Sequence, residues 1–249
     1  TLLPSCAWRL ADLELVPRLG VRVMSTFACG GGSSLGYKLA GCDVIAANDI
    51  DPEMAWHYQA NLHPRHYFLG PIRDLIDKPL PAELDDLDIL DGSPPCSTFS
   101  LAGNREEDWG KSKRFREGQA TQVLSDLFID YLDLVARLRP KVAVAENVAG
   151  MLVGNAKGYV RLIVERFRAI GYRVQVFVLQ ATDCGVPQRR KRVFFCALRD
   201  DLAALPLVLR PRHRPISSGE ACADLQDLTA DEIEYTIDRV RAFYLGTRR

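Results

Sequence analysis

The sequence predicts an α/β protein built on a doubly wound, mostly parallel β-sheet with an antiparallel strand pair at one edge. Three observations predict it. Strand-length apolar runs alternate with helix-length runs from residue 21 to about residue 170, the pattern of a sheet covered on both faces. The first strand breaks at Gly30-Gly31-Gly32, a turn of the kind that opens a Rossmann-like unit. The last two strand runs have no helix between them, so they are expected to pair antiparallel.

The elements follow in order. Val21–Phe27 reads as the first strand. Ser33 and Ser34 suit the first turn of a helix running through Tyr37 and Leu39 to Gly41, a natural stop. Asp43–Asp49 is the second strand, and a helix through Met54, Tyr58 and Leu62 closes at Pro64. A third short strand lies near Tyr67–Leu69. Leu87–Asp91 is the fourth and feeds Gly92-Ser93-Pro94-Pro95-Cys96. Leu101–Gln119 is polar and long for a loop. A helix from about Thr121 to Leu138 ends before Pro140, and Val142–Ala145 is the fifth strand. A helix over about Gly158–Ile170 precedes the strands Tyr172–Leu179 and Arg192–Leu198. Pro211, Pro215 and Ser217-Ser218-Gly219 read as a connector, and Thr229–Phe243 as a tail helix. The expected organisation is an N-terminal arm over 1–20, a catalytic and cofactor-binding domain over 21–205, and a connector with a C-terminal helix over 206–249.

Composition narrows the class. The 249 residues are 47% hydrophobic and 26% charged, ordinary for a globular chain with a substantial core. Lys+Arg and Asp+Glu each number 32, so the chain is not a uniformly basic nucleic-acid coat, although a local basic stripe would still serve. Seven scattered cysteines without a CxxC pair argue for a reducing compartment and against a disulfide framework or a zinc site. No membrane-length apolar run and no signal-peptide pattern is read.

Four segments carry chemistry. The glycine turn after the first strand lets backbone approach a ligand at a helix start, and Asp49 ends the second strand about twenty positions on, where an acid can bond ribose hydroxyls. Alone, these residues fit a nucleoside-bearing cofactor, or a tight turn and a helix cap. Cys96 sits on a diproline turn among small and hydroxyl residues. Such a setting presents a nucleophile, but the segment alone fits a buried structural thiol equally well. Lys111, Lys113, Arg114 and Arg116 follow it, either as a solvated loop or as phosphate contacts. Glu146-Asn147 ends the fifth strand, where a partly desolvated carboxyl can hand a proton to a ring nitrogen or simply cap a turn. In Gln188-Arg189-Arg190-Lys191-Arg192, strand geometry would put Arg190 and Arg192 on one face, for an anionic target or as edge protection.

Together these residues resemble the DNA (cytosine-5)-methyltransferase family. The matching segments are Phe27-Ala28-Cys29-Gly30-Gly31-Gly32, Asn48-Asp49, Gly92-Ser93-Pro94-Pro95-Cys96, Glu146-Asn147-Val148 and Gln188–Arg192, in the family's order over about residues 21–200. The resemblance implies the fold of an S-adenosylmethionine-dependent methyltransferase, with S-adenosyl-L-methionine as cofactor and S-adenosyl-L-homocysteine as product. It assigns cofactor binding to Phe27, Ala28, Gly30, Gly31, Gly32, Asp49, Ile50, Ile72 and Pro95. Among these, Phe27 would pack on the adenine, the glycines would line the methionine end, and Asp49 would take the ribose hydroxyls. The implied substrate is a cytosine flipped out of double-stranded DNA. Cys96 would attack C6, Glu146 would protonate N3, Arg190 would hold the base, and Arg192 would order the site with Gln188.

The chain departs from the family pattern in three places. Cys29 stands where glycine is common, and Pro71 where an aspartate usually bonds the adenine amino group. No segment after residue 200 matches the family's target-recognition domain or its last two motifs. The expectation is therefore the catalytic part of a split enzyme whose second polypeptide reads the target, or a truncated or incomplete chain. An RNA-methylating relative would carry a Cys-Phe-Thr signature that is missing here. A scaffold subunit would not need Cys96, Glu146 and Arg190 together. A prokaryotic cytoplasm, on nucleoid DNA, is the expected setting, for restriction-linked modification, regulation or phage defence.

Overall fold

The computed structural model describes residues 10–95, 127–154, 156–203, 206–209, 211 and 214–221, with the backbone of 112–113 and 122–123. Cys96 and the expected helix over 229–243 lie outside the described residues. The chain divides into two compact units, Thr1–Gln180 with Lys191–Arg210, and Ala181–Arg190 with Pro211–Arg249.

The first unit is built on a seven-stranded sheet. Its strands are β1 (Arg22–Thr26), β2 (Asp43–Asp49), β3 (His66–Leu69), β4 (Ile89–Gly92), β5 (Val142–Val148), β6 (Tyr172–Gln180) and β7 (Lys191–Arg199), in spatial order β3-β2-β1-β4-β5-β7-β6. The pairings from β3 to β5 are parallel. β7 runs antiparallel to both β5 and β6. The expected antiparallel pair is therefore present, with the later strand inserted inside and β6 left at the edge. β1 and β2 are buried along almost their whole length, as central parallel strands require.

Among the described residues, five helices accompany the sheet: α1 (Gly32–Leu39), α2 (Pro52–Leu62), the single turn α3 (Asp74–Asp77), α4 (Leu127–Leu138) and α5 (Ala156–Ala169). α2 starts because Asp51 caps it, its Oδ1 accepting the amides of Glu53 (2.9 Å) and Met54 (3.3 Å), with Pro52 in the first turn. α4 begins at Leu127, later than the expected Thr121, because Gln122–Val123 instead pairs antiparallel with Ser112–Lys113. It carries apolar residues on most of its surface and buries Leu127, Phe128, Tyr131, Leu132, Leu134, Val135 and Leu138. The Tyr131 hydroxyl donates between the carbonyls of Leu90 and Val144, 2.9 Å from each, and so ties α4 to two neighbouring strands. A second cluster joins α2 to the sheet through Ala47, Tyr58 and Leu62. Leu13, in the 3-10 turn Leu10–Leu15, packs into it, so the N-terminal arm is anchored there.

In the second unit, Ala181–Cys184 forms a 3-10 turn, and the Ala181 amide donates to the Arg190 carbonyl at 2.9 Å. The short helix α6 (Ser218–Ala221) is closed by a capping box: Ser217 Oγ accepts the Glu220 amide at 3.1 Å, and Glu220 Oε2 accepts the Ser217 amide at 2.9 Å. Among the described residues, no helix is long and apolar enough to cross a membrane.

Candidate active site

The strand order brings the carboxyl ends of β1, β2, β4 and β5 to one edge of the sheet. The change of direction around β1 opens a crevice there. The chain leaves β1 through Phe27 at φ 52°, and Cys29 follows at φ 46°. Both residues are left-handed, a conformation that costs an L residue about 1–2 kcal/mol. Backbone contacts hold the turn. Ala28 donates to the Asn48 carbonyl (3.0 Å), Gly31 to the Ala28 carbonyl (2.9 Å), and the Cys29 amide to Asp49 Oδ2 (2.7 Å). Gly31 caps α1 at φ 91°. A Cβ there would run into Leu62 and lie 3.1 Å from the Tyr58 ring, so packing alone demands glycine.

Gly30 and Gly32 are different. A Cβ on either would meet nothing within 4 Å, so packing requires neither to be glycine. Both are exposed, and neither they nor Gly31 line the neighbouring cleft.

A cleft of about 200 Å³ lies beside this turn, lined by Phe27, Asn48, Asp49, Ile50, Gly70, Ile72, Ser93 and Pro95. Five of the sequence-predicted cofactor residues line it: Phe27, Asp49, Ile50, Ile72 and Pro95. Ala28 does not. It is buried against Leu13, Ala47, Tyr58 and Leu62. Asn48, Gly70 and Ser93 line the cleft without having been singled out for it. Asn48 is buried, and its Nδ2 donates to the carbonyls of Phe68 (2.8 Å) and Gly70 (2.9 Å), so it fixes the wall that β3 contributes. A polar side chain at the end of an otherwise apolar strand was the available signal.

The free acceptor sites suit the hydroxyls of a nucleoside. Asp49 Oδ1 accepts the Asp51 amide at 2.9 Å and Oδ2 the Cys29 amide, and each oxygen keeps a further acceptor site. Phe27 offers a half-buried ring and Ile72 a buried apolar wall. The volume is below the ~300–1,000 Å³ of pockets that enclose a whole drug-sized ligand. It is therefore sized for one portion of a larger ligand.

On the other side of β4, Glu146 and Asn147 end β5. Glu146 Oε1 lies 2.8 Å from Arg192 Nε, with both side chains about three-quarters buried. The register explains the pair: Val148 faces Arg192 across the β5/β7 ladder, so Glu146 and Arg192 are diagonal neighbours on one face. Asn147 points the other way. It is buried, and its Nδ2 donates to the Pro94 carbonyl at 3.0 Å, two residues before Cys96. Its Oδ1 accepts the Val148 amide at 2.8 Å. Arg190 lies in the second unit, just before β7 begins at Lys191.

One further charged group is buried at this edge. Asp91, on β4, is 5% exposed, and its carboxylate accepts three hydroxyls: Ser25 (3.2 Å), Ser33 (2.5 Å) and Tyr37 (3.2 Å). Burial pushes its carboxyl up to about 6 and the charge of Glu146 adds to this, while the three hydroxyls pull the other way. An acid in a strand otherwise buried on both faces was the signal for it in the sequence.

The family model of C-5 cytosine-specific DNA methylases matches residues 21–244. The Type II methyltransferase M.DdeI of Desulfomicrobium norvegicum is 35% identical over 220 residues, covering 85% of this chain and 50% of that protein. The Type II methyltransferase M.NgoPII of Neisseria gonorrhoeae is 35% identical over 187 residues, covering 73% and 49%. Among solved structures, a prophage-encoded DNA modification methyltransferase of E. coli superposes with a TM-score of 0.65 at 24% identity, over 84% of this chain and 56% of that one. The Dnmt2 methyltransferase of S. pombe gives 0.51 at 22%, over 74% and 51%. At such identities the structures speak for the fold alone. The chain spans about half the length of the curated relatives it matches.

Proposed function

Since the chain belongs to the C-5 cytosine-specific DNA methylase family, we propose that it methylates C5 of a cytosine flipped out of double-stranded DNA, with S-adenosyl-L-methionine as the methyl donor. The observation that carries this reading is the Glu146–Arg192 pair at the end of β5, next to an Asn147 that holds the Pro94 turn, across β4 from a cleft with nucleoside-type donors.

In this reading Phe27, Asp49, Ile50, Ile72 and Pro95 hold the nucleoside portion of the cofactor, and Gly30 and Gly32 leave room for its methionine end. When bound, the cofactor supplies an electrophilic methyl group. The remaining chemistry belongs to the chain. The Cys96 thiolate gives its electron pair to C6 of the ring, and the C5–C6 π pair becomes available at C5. Glu146 supplies a proton to N3, which stabilises the ring once it is attacked. Arg192 occupies Oε1 of Glu146, so the ring meets Oε2. After C5 is methylated, its proton leaves to a base, its C–H electron pair reforms the C5–C6 double bond, the C6–S bond breaks with its electrons returning to sulfur, and Glu146 takes its proton back from N3. Arg190 contacts the base. The basic residues Lys111, Lys113, Arg114 and Arg116 neutralise DNA phosphate. The modification role is like that of the Type II methyltransferases it resembles.

DNA containing 5-fluorocytosine tests this, because fluorine cannot leave C5 as a proton does and the covalent adduct persists. Incubation with the chain and cofactor is expected to give an adduct that Cys96→Ser abolishes. An adduct retained in Cys96→Ser, or none with the wild-type chain, overturns the reading.

A further inference from the structure

Asp91 is a buried carboxylate that the reaction above does not use. Among the described residues no cation is paired with it. A buried acid without a cation is expensive, and an apolar residue would pack a central strand better. Its surroundings show what it links. Oδ2 accepts Ser25 Oγ from β1 and Ser33 Oγ from the first turn of α1, and Oδ1 accepts Tyr37 Oη one turn further along α1. Its backbone carbonyl accepts Thr26 Oγ1 at 2.9 Å. Ser25 and Asp91 are direct partners in the β1/β4 register.

α1 has no side-chain cap, because Gly31 occupies the cap position. Its first turn is fastened instead by Ser33, an exposed residue whose hydroxyl reaches down to the buried carboxylate at 2.5 Å. A carboxylate at the start of a helix also meets the positive end of the helix dipole. The residue after Asp91 is Gly92, which opens the turn leading to Cys96. One carboxylate thus touches the helix that follows the glycine turn and sits on the strand that leads to the nucleophile.

We propose that Asp91 is a positioning residue of the methyl-transfer site: it locks the first turn of α1 to β4, and so sets the glycine turn and the Gly92–Pro95 segment at a fixed separation. The inference rests on the cofactor reading given above. A role limited to folding would lower stability and leave the cofactor affinity of the folded protein alone. A positioning role changes that affinity well below the melting temperature, and changes it through Ser33.

The test is calorimetric titration of the full chain with S-adenosyl-L-homocysteine, beside thermal unfolding, for wild type, Asp91→Asn, Ser33→Ala and the double variant. Each single variant is expected to weaken binding about tenfold, the worth of one charge-assisted hydrogen bond. The double variant is expected to lose no more than the worse single, because both remove the same link. Should Asp91→Asn not fold, Ser33→Ala alone decides. Affinities within twofold of wild type in the folded variants, or fully additive losses, overturn the inference while the cofactor reading stands. Failure of the wild-type chain to bind at all removes the cofactor reading and the inference with it.

Discussion

The buried amide of Asn147 donates to the carbonyl of Pro94 at 3.0 Å, across 53 residues of sequence. This contact fastens the end of β5 to the segment that follows β4. It puts Glu146, which immediately precedes Asn147, and Pro94 on adjacent strand ends under one constraint.

Asn147→Ala therefore has two expected effects. It strands the Pro94 carbonyl in a buried setting, which costs about 1–3 kcal/mol and is measurable by urea unfolding. It also frees the Cys96 turn, and a misplaced reacting group typically loses on the order of a hundredfold in rate. Adduct formation on 5-fluorocytosine DNA reads the second effect. A variant that is destabilised but reacts at the wild-type rate would show that the contact only supports folding.

Arg192→Lys keeps the charge but loses the rigid guanidinium that meets Glu146 through Nε. The pair is partly solvated, so the expected loss of stability is small, ~1 kcal/mol or less. The expected loss in methyl transfer is larger, about tenfold to a hundredfold, with cofactor affinity unchanged. Equal losses in cofactor affinity and turnover would place Arg192 outside the acid's environment.

Two glycines separate packing from ligand space. A Cβ on Gly92 would lie 2.6 Å from the Tyr131 ring and 2.7 Å from Thr26 Oγ1, both buried. Gly92→Ala is expected to destabilise by about 1–3 kcal/mol. Gly30→Ala meets no protein atom within 4 Å and is expected to change stability by less than ~0.5 kcal/mol. It should nevertheless weaken S-adenosyl-L-homocysteine binding, because the added methyl enters the space left for the ligand. Unchanged affinity in Gly30→Ala would mean that the ligand does not run past this turn.

Asp91 gives a pH dependence with a definite sign. Its folded carboxyl stands at about 6, above its ordinary 3.8, so between these values the folded protein holds a proton that the unfolded chain has released. Stability attributable to this group is thus full below pH 4 and falls as pH rises to 6, by a few kcal/mol in all, roughly 3. Asp91→Asn removes this component. The stability difference between wild type and variant, from urea unfolding at pH 4.5 and pH 7, should shift toward the variant at the higher pH. A difference that does not move between the two would refute the assignment.

Much of this molecule was readable from local chemistry. Alternation of strands and helices gave the parallel sheet, and turn residues gave most boundaries, because both depend on neighbours in sequence. Of the five expected residues that line the cleft, Asp49 was legible from its place at the end of β2, while Phe27, Ile50, Ile72 and Pro95 were expected from the family resemblance. Other features could not be reached this way. The start of α4 moved because Gln122–Val123 found a strand partner instead. The place of β7 between β5 and β6 depends on which edge the final hairpin docks against, which no local pattern encodes.

Sequence by itself determined most of the elements and the turn chemistry, since these are properties of residues and their immediate neighbours. Tertiary structure decided the pairings: Glu146 with Arg192, Asn147 with Pro94, and Asp91 with Ser25, Ser33 and Tyr37. These partners lie 46 to 66 residues apart in sequence. They meet only because the strand order and register bring distant strand ends to one edge of the sheet, where a buried polar group must find a partner or forfeit its solvation.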